Sequence, residues 1–473
     1  MTLGIADDDL RQAVDKELGK DKHINDANIQ VQATNGVIAL MGTVDNPLSK
    51  ERAARVTEVV RGVRSVDNRI EVVPTSRPDS DIAADVRKAL SYNSATAKMP
   101  ITVRVLNAVV TLTGTTSSWQ EQRLAERVAN GVRGVRVTQN DLTTKPSTRR
   151  TSAEIMADVK SRLAWDALVE HDPITVSVNG RQVFLSGTTG SVAERARAVN
   201  DAWVDGVDGV DDSKLVVDIL QRPDANVRRD VRHESDADIA KAIRDAASYD
   251  PLVRTANITP AVAHGVVTLL GTVDTLRARM VAAALARDTV GVTSVTNQLE
   301  VRPFRPLADR ILLNRVSDAL AFDSLLESGN IKAAVSRGQV TLTGAVDTYF
   351  ERAEALDDVS GVDNVTRVDD QLEVRHPAEP YVYSAWVDPF APHVDTWYVK
   401  SLRPALPDSA IARRIQENFH WSAFVDPGDI QVSVVDGEAT LSGKVRSDRE
   451  RQAAIDGALE AGAVTVDDEL TVT

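Results

Sequence analysis

The sequence contains no cysteine, which excludes disulfide bonds and metal sites built on thiolates. It also lacks any run of about eighteen apolar residues, so we expect no segment that spans a bilayer. The first nine residues have neither a basic start nor an apolar core, and therefore do not match a secretory signal. We expect a cytoplasmic protein, or a periplasmic or surface protein if a leader has been removed.

Residue patterns typical of catalysis are also missing. The seven histidines are scattered, and no pair has the His-Glu-x-x-His spacing of a helix-borne metal site. No serine lies in a Gly-x-Ser-x-Gly motif, and the glycine-rich turns lack the lysine of a phosphate-binding loop. We predict a protein that is not an enzyme, with no catalytic residue, no metal site and no cofactor.

The charge balance is acidic, with 55 Lys and Arg against 69 Asp and Glu and a net charge of −14. Such a chain is repelled by nucleic-acid phosphates and is not attracted over long distances to anionic lipid. We therefore predict no nucleic-acid partner.

What the sequence does contain is a repeat, in which a leucine stands two residues ahead of a glycine. The six glycines are Gly42, Gly114, Gly187, Gly271, Gly344 and Gly443. Their separations of 72, 73, 84, 73 and 99 residues predict six units of about seventy residues with two enlarged joints. We expect these glycines to be structural, because a missing Cβ permits a bulge or a close approach of the following helix.

Each repeat shows the same order of local patterns. An apolar stripe at i, i+4 and i+8, such as Ile82, Val86 and Leu90, predicts a first helix, and acidic or hydroxyl residues ahead of most stripes are expected to cap it. An alternating run with a turn such as Asn35-Gly36 predicts an antiparallel hairpin. An alanine-rich helix that ends in Gly-Val and a last strand follow. The predicted fold is α+β, a tandem array of six small αββαβ domains, each a three-stranded sheet with two helices on one face.

The predicted domains, which we call units 1 to 6, span residues 3–74, 79–145, 151–218, 235–303, 306–375 and 407–473. Short proline-bearing joints predict fixed packing between at least some adjacent units. Two hairpins are expected to be less regular, because unit 2 has Asn107-Ala108 at the turn and Pro260 interrupts a strand of unit 4.

An aromatic residue stands two positions after the helical stripe in five of the units. These residues are Tyr92, Trp165, Tyr249, Phe322 and Trp421. We interpret this ring as a plug over the end of a small core.

The repeated phrases resemble a known family. The Leu-x-Gly-Thr-Val-Asp of residues 40–45 and the Gly-Val-x-x-Val-x-Asn-x-Leu of residues 291–299 are similar to the BON domain of bacterial osmotically inducible and nodulation proteins. The resemblance covers nearly all of the chain as six tandem copies. It implies binding to phospholipid surfaces or envelope partners, in proteins that are often exported.

Two segments depart from the repeat. Residues 219–234 contain four arginines and a histidine, and we interpret them as a flexible linker, with an anion or acidic-partner site as the alternative. Residues 376–406 form an aromatic and proline-rich insert, and aromatic residues are rare in disordered linkers. We therefore expect the insert to be an internal strap or a partner or assembly contact. Its candidate contact residues are Tyr381, Tyr383, Trp386, Phe390, Trp397 and Tyr398.

Three functional hypotheses follow. The first is a nonenzymatic multivalent binding or scaffolding protein whose units associate with phospholipid surfaces or protein partners in a stress or envelope setting. The second is a structural subunit that forms a homo-oligomer or polymer through unit edges and the 376–406 segment. The third is a cytosolic stress or potassium sensor, since a potassium-binding protein also carries a BON unit.

Overall fold

The computed structural model describes residues 5–19, 24, 29–145, 150–218, 234–254, 256–303, 305–326, 328–375 and 406–473. These residues form six units with the element order helix, strand, strand, helix, strand, as predicted. The first helices of units 1 to 6 are α1 (Asp7–Leu18), α3 (Asp79–Tyr92), α5 (Ser152–Trp165), α7 (Asp236–Tyr249), α9 (Asp309–Phe322) and α11 (Asp408–Trp421). The second helices are α2 (Pro47–Glu58), α4 (Trp119–Asn130), α6 (Val192–Ala202), α8 (Leu276–Arg287), α10 (Tyr349–Gly361) and α12 (Asp448–Glu460).

Each sheet has the second strand of its unit in the centre. The hairpin pairs antiparallel as predicted, and the last strand pairs parallel with the central strand after the second helix. The strands of units 1 to 3 are β1 (Gln30–Thr34), β2 (Val37–Val44), β3 (Ser65–Val72), β4 (Ile101–Leu106), β5 (Val109–Thr116), β6 (Val137–Thr144), β7 (Ile174–Asn179), β8 (Gln182–Thr189) and β9 (Gly209–Val217). Those of units 4 to 6 are β10 (Asn257–Ala263), β11 (Val266–Val273), β12 (Ser294–Asn297), β13 (Glu300–Val301), β14 (Ile331–Ser336), β15 (Gln339–Val346), β16 (Arg367–Val374), β17 (Ile430–Val435), β18 (Glu438–Val445) and β19 (Thr465–Val472).

Every unit encloses its own apolar core between its sheet and its two helices. In β5, for example, Val110 and Leu112 are fully buried, whereas Thr113 on the opposite face is exposed. Six separate clusters of buried residues result, one for each unit. Because a sheet residue alternates between two faces, the second face of each sheet remains on the surface.

The two hairpins expected to be irregular keep the common register, so that prediction was wrong. Ala108 adopts a left-handed φ of 61°, and Leu106 still lies opposite Val109 across a two-residue turn. Pro260 lies opposite Leu269 in β10, which is an edge strand, where a residue without an N–H group is tolerated. In unit 3 the register is again the same, but the two turn residues are Gly180 and Arg181, and Asn179 is the last residue of the first strand.

The repeated glycines have φ values between 116° and 144°, a region that side chains rarely adopt. In five units a Cβ at this position would overlap a carbonyl oxygen at or just before the start of the hairpin's first strand, such as that of Asn330 opposite Gly344. The close approach therefore comes from the hairpin itself. The sequence analysis had suggested a close approach of the following helix instead. A glycine is required here by both backbone angle and space.

Five of the six first helices are fixed to their hairpins by an aspartate at the first residue of the helix, and in unit 3 the hydroxyl of Ser152 donates to the carbonyl of Gly180 instead. Asp7 accepts hydrogen bonds from the backbone N–H groups of Asn35 and Gly36 at 2.8 and 2.9 Å, and these bonds lower the pKa of its carboxyl. Equivalent pairs of bonds reach Asp79, Asp236, Asp309 and Asp408. Among the described first helices, the predicted side-chain capping is present only at Thr151 and Ser235. Unit 4 has both features, because Asp236 binds the turn while Ser235 caps the helix.

Candidate functional site

The most informative contacts lie between units, because they pair the units in a nested order. Unit 1 pairs with unit 6, unit 2 with unit 5, and unit 3 with unit 4. Each pair is joined by short backbone bridges between the end of a first helix and the end of a second helix. The described bridges are Val60 to Ser422, Asn93 to Val362, Val132 to Asp323 and Asp166 to Thr289.

The pair formed by units 2 and 5 is reciprocal, because each unit contributes both of its helix ends. The N–H of Arg133 donates to the carbonyl of Phe322 at 2.8 Å, and the N–H of Asp363 donates to the carbonyl of Tyr92 at 3.1 Å. The same surface of two similar units is therefore used twice, as in a twofold symmetric dimer.

The aromatic residues after the helical stripes complete these pairs. Trp421 packs on the core of unit 1, Phe322 on that of unit 2, Tyr249 on that of unit 3 and Trp165 on that of unit 4. The interpretation as a plug was thus right about the role but did not identify the core, which belongs to the partner unit. Tyr92 packs on its own core, and its hydroxyl donates to Asp318 of unit 5 at 2.8 Å.

Two arginines bind the loop of the partner unit. The guanidinium of Arg61 donates to the carbonyl oxygens of Ser422 and Val425 at 3.0 and 2.9 Å. In the same way Arg133 donates to the carbonyls of Asp323 and Leu326 at 2.9 and 2.6 Å. These arginines satisfy loop carbonyls that a partner without them would leave unpaired, so they favour the correct pairing.

We expect Arg61→Met to weaken the pairing of units 1 and 6 by about 2 kcal/mol, since it removes charge-assisted hydrogen bonds from half-buried carbonyls. Amide hydrogen exchange of Ala423, which donates to the carbonyl of Val59, measures this opening. Arg69→Met is the matched control, because Arg69 forms only an exposed ion pair with Asp67. Equal exchange in both variants would contradict the assigned role.

Further contacts connect the three pairs into one body. Arg254 of unit 4 binds Glu121 of unit 2, Ala193 of unit 3 is part of the unit 6 core, and Arg52 of unit 1 stacks 4.0 Å over the ring of Phe350 in unit 5. Together with the nested pairs, these contacts join all six units. Contacts between units adjacent in the sequence are also present, such as the Trp119–Trp203 stack at 4.7 Å between units 2 and 3.

A buried network of charges lies where units 3, 4 and 6 meet. Arg197 binds Asp166 at 2.5 Å and Asp288 at 2.7 Å, and Arg449 approaches Asp288 at 3.2 Å. Burial, followed by the charge of Asp166, raises the pKa of Asp201 to about 7. Because these groups are almost fully removed from water, the arginines are needed to offset the charge of the carboxylates.

A cavity of about 130 Å³ lies between units 1, 2, 4 and 5. Its apolar wall includes Leu48, Leu124, Leu252, Val281 and Phe322. Its acidic wall is formed by Asp323, Glu354, Asp357 and Asp358, with Arg127 and Arg277 among the other polar residues. Arg277 of unit 4 is bound to Asp357 of unit 5, so the cavity edge is also a contact between units.

The candidate contact residues of the insert, Tyr381, Tyr383, Trp386, Phe390, Trp397 and Tyr398, lie outside the described residues, as do residues 219–233. Over the described ranges, no three His, Cys, Asp or Glu side chains are grouped so that they could hold a metal ion. Within the same ranges, no helix combines the length and the apolar character needed to cross a membrane.

The outer faces of the sheets carry exposed carboxylates on their last strands. Glu71, Asp141, Glu300, Glu373 and Glu469 are all exposed there. A few apolar side chains are exposed in the sheets, including Leu270 and Phe184. Basic side chains such as Arg104, Lys332, Arg367 and Lys444 are exposed on the same faces, so the surface presented by the six units is mixed in charge and carries these carboxylates beside them.

The family model described as "BON domain" matches residues 6–74, 78–146, 151–218, 235–303, 308–376 and 407–473. Osmotically-inducible protein Y of Escherichia coli (strain K12) is 28% identical over 130 residues, which are 26% of this chain and 65% of that protein. This chain therefore covers slightly less than two thirds of that relative. Two solved structures of CdsD, a structural protein of the Type III secretion system of Chlamydia trachomatis, are 14% and 15% identical. They cover 44% and 45% of this chain and 92% and 100% of their own, each with a TM-score of 0.13.

Proposed function

Because this chain belongs to the BON domain family, with six copies in tandem, we propose that it is a nonenzymatic multivalent binding or scaffolding protein. Its setting is a stress response or the cell envelope, in line with the name of its osmotically inducible relative. The ligands are protein partners or phospholipid surfaces that bind the outward faces of the units.

The observation that carries the proposal is the packing of all six units into one body. Buried bridges and ion pairs fix the units to one another, while the sheet faces opposite the helices stay on the surface. Because the units are already held in place, each further contact with a ligand does not restrict the motion of another unit. Weak contacts can then add up to a stable complex.

The charge of the outer faces decides which surfaces they fit. Exposed carboxylates such as Glu71, Glu300 and Glu373 repel anionic lipid headgroups over about 10 Å at moderate ionic strength. A basic protein surface or a zwitterionic membrane is therefore the better match.

Flotation of the whole protein with liposomes tests the lipid part of this proposal. We expect co-flotation with phosphatidylcholine vesicles and a severalfold lower bound fraction when phosphatidylglycerol is added at low salt, with the difference lost at high salt. Glu71→Gln combined with Glu300→Gln and Glu373→Gln should restore binding to the anionic vesicles. Absence of flotation under all conditions would remove phospholipid from the proposal and leave protein partners.

Self-assembly is a second candidate, because each sheet keeps two edge strands. In unit 1, β1 and β3 are each paired on one side only among the described residues, and the other units follow the same order. Unpaired edges can extend a sheet into a neighbouring molecule. Light scattering across a wide range of concentrations measures this, and a strict monomer at the highest concentration would contradict it.

A further inference from the structure

Two carboxyl groups of the acidic wall lack hydrogen-bond partners among the described residues, Asp358 at its Oδ2 and Glu354 at both oxygens. Glu354 is only 7% exposed and lines the cavity between units 1, 2, 4 and 5. Across the described residues it accepts no hydrogen bond and forms no ion pair. A buried carboxylate without a donor is costly, so it must hold a proton or meet a cation.

We propose that this cavity binds a small organic monocation, a primary alkylammonium compound whose N–H groups donate to Glu354. The carbon chain of the ligand packs against Leu124, Leu252 and Val281 on the opposite wall. The site is built from several units, so it exists only when these units are packed together.

The lining favours an organic cation over a metal ion. The carboxyl groups in the described part of the chain are not grouped to coordinate a metal, and much of the remaining wall is apolar. The rings of Tyr92 and Phe322 also line the cavity, and aromatic faces attract ammonium groups. A cavity of about 150 Å³ can hold a benzene molecule, so we expect a ligand with roughly five or six heavy atoms.

The charges around Glu354 make binding depend on pH. Burial, followed by the nearby Asp323 and Asp357, raises the pKa of Glu354 to about 8, whereas Arg127 and Arg52 lower it. Burial and the same acidic neighbours also raise the pKa of Asp358. In the free protein at neutral pH, Glu354 therefore holds a proton. An alkylammonium group keeps its charge up to about pH 10, so its binding to the carboxylate releases that proton.

The test is isothermal titration calorimetry of the whole protein with n-butylammonium chloride. We expect the apparent Kd to fall nearly tenfold between pH 6.5 and 7.5 and to level off above about pH 8.5, with close to one proton released per ligand at the lower pH. Neutral n-butanol should not bind saturably. Sodium and potassium chloride at the same ionic strength should not compete.

Three variants separate this site from general charge effects. Glu354→Gln should lower the affinity at pH 8.5 at least tenfold and remove the pH dependence, whereas Glu373→Gln, on the exposed face of the same unit, should change neither. Ala319→Leu should fill the cavity and weaken binding while Glu354 stays in place. Saturable binding to Glu354→Gln equal to that of the original protein, tighter binding of sodium or potassium, or no binding at any pH would overturn the proposal.

Discussion

Replacement of Gly344 by alanine is expected to lower the free energy of unfolding of unit 5 by about 4 kcal/mol. The added Cβ would overlap the backbone carbonyl of Asn330, and alanine would also have to adopt a φ near 119°. A backbone carbonyl cannot move aside as a flexible side chain can. Chemical denaturation followed by circular dichroism, with hydrogen exchange to locate the loss, measures the effect.

Gly329→Ala is the matched control for this substitution. Gly329 lies immediately before Asn330, an added methyl group there would have no heavy atom within 4 Å, and its backbone needs no left-handed φ. Its replacement should change stability by less than about 0.5 kcal/mol. If both substitutions were equally tolerated, steric overlap would not be the reason for the glycine.

Arg197→Met is the second substitution with a large expected effect. It leaves Asp166 and Asp288 buried with less positive charge around them, and breaking such a network typically costs about 3–5 kcal/mol. Because the loss arises where three units meet, units 3, 4 and 6 should separate together. Denaturant titrations at pH 8 and pH 5 measure it.

The pH dependence has a definite sign. Asp201 has a folded pKa of about 7, above its ordinary value of 3.8, so its contribution to stability falls as pH rises between those values. The charge of Arg197 is one of the causes that lower the pKa of Asp201, so without Arg197 that pKa should rise further, and the deficit of the variant should be smaller at pH 5 than at pH 8. Arg195→Met is the control, because Arg195 forms a more exposed pair with Asp212 and should cost under about 1 kcal/mol at either pH. A deficit unchanged between the two pH values would contradict this explanation.

The fold could be predicted because each helix and hairpin is determined by a short stretch of sequence. The spacing of residues such as Ile82, Val86 and Leu90 defines a buried helix face whatever surrounds the unit, and the short turns define the hairpins. The parallel pairing of the last strand with the centre of the sheet was not deduced, since it depends on where the second helix returns the chain.

The pairing of the units could not be predicted from the repeats. An aromatic such as Trp421 is needed at the same position whether it covers its own core or that of a partner, so the pattern does not distinguish the two. Arg61 and Arg133 were missed because they look like ordinary surface charges. They share one place, immediately before the glycine that was predicted to end the second helix but lies four residues past its last residue. The other units carry Asp205, Val290, Asp363 and Ala461 there, so the repeat itself does not mark the arginines.

The acidic cavity was missed for a related reason. Glu354, Asp357 and Asp358 lie on a helix whose sequence predicts an exposed surface, and they line a cavity because other units pack against that helix. At the position of Glu354 the other units carry Arg52, Leu124, Arg197, Val281 and Ala453. Charged residues at this position in some units and apolar residues in others indicate a helix face that contacts different neighbours in each unit.

The nested pairing also dictates when the protein can be completed on the ribosome. Units 1 and 2 emerge well before units 6 and 5 have been translated, whereas units 3 and 4 are the first pair of which both members have been made. Assembly must therefore proceed from the middle of the chain outward, with the site for Trp421 on unit 1 filled last. A nascent chain that stops early leaves that apolar site uncovered, which makes incomplete products recognisable to chaperones and proteases.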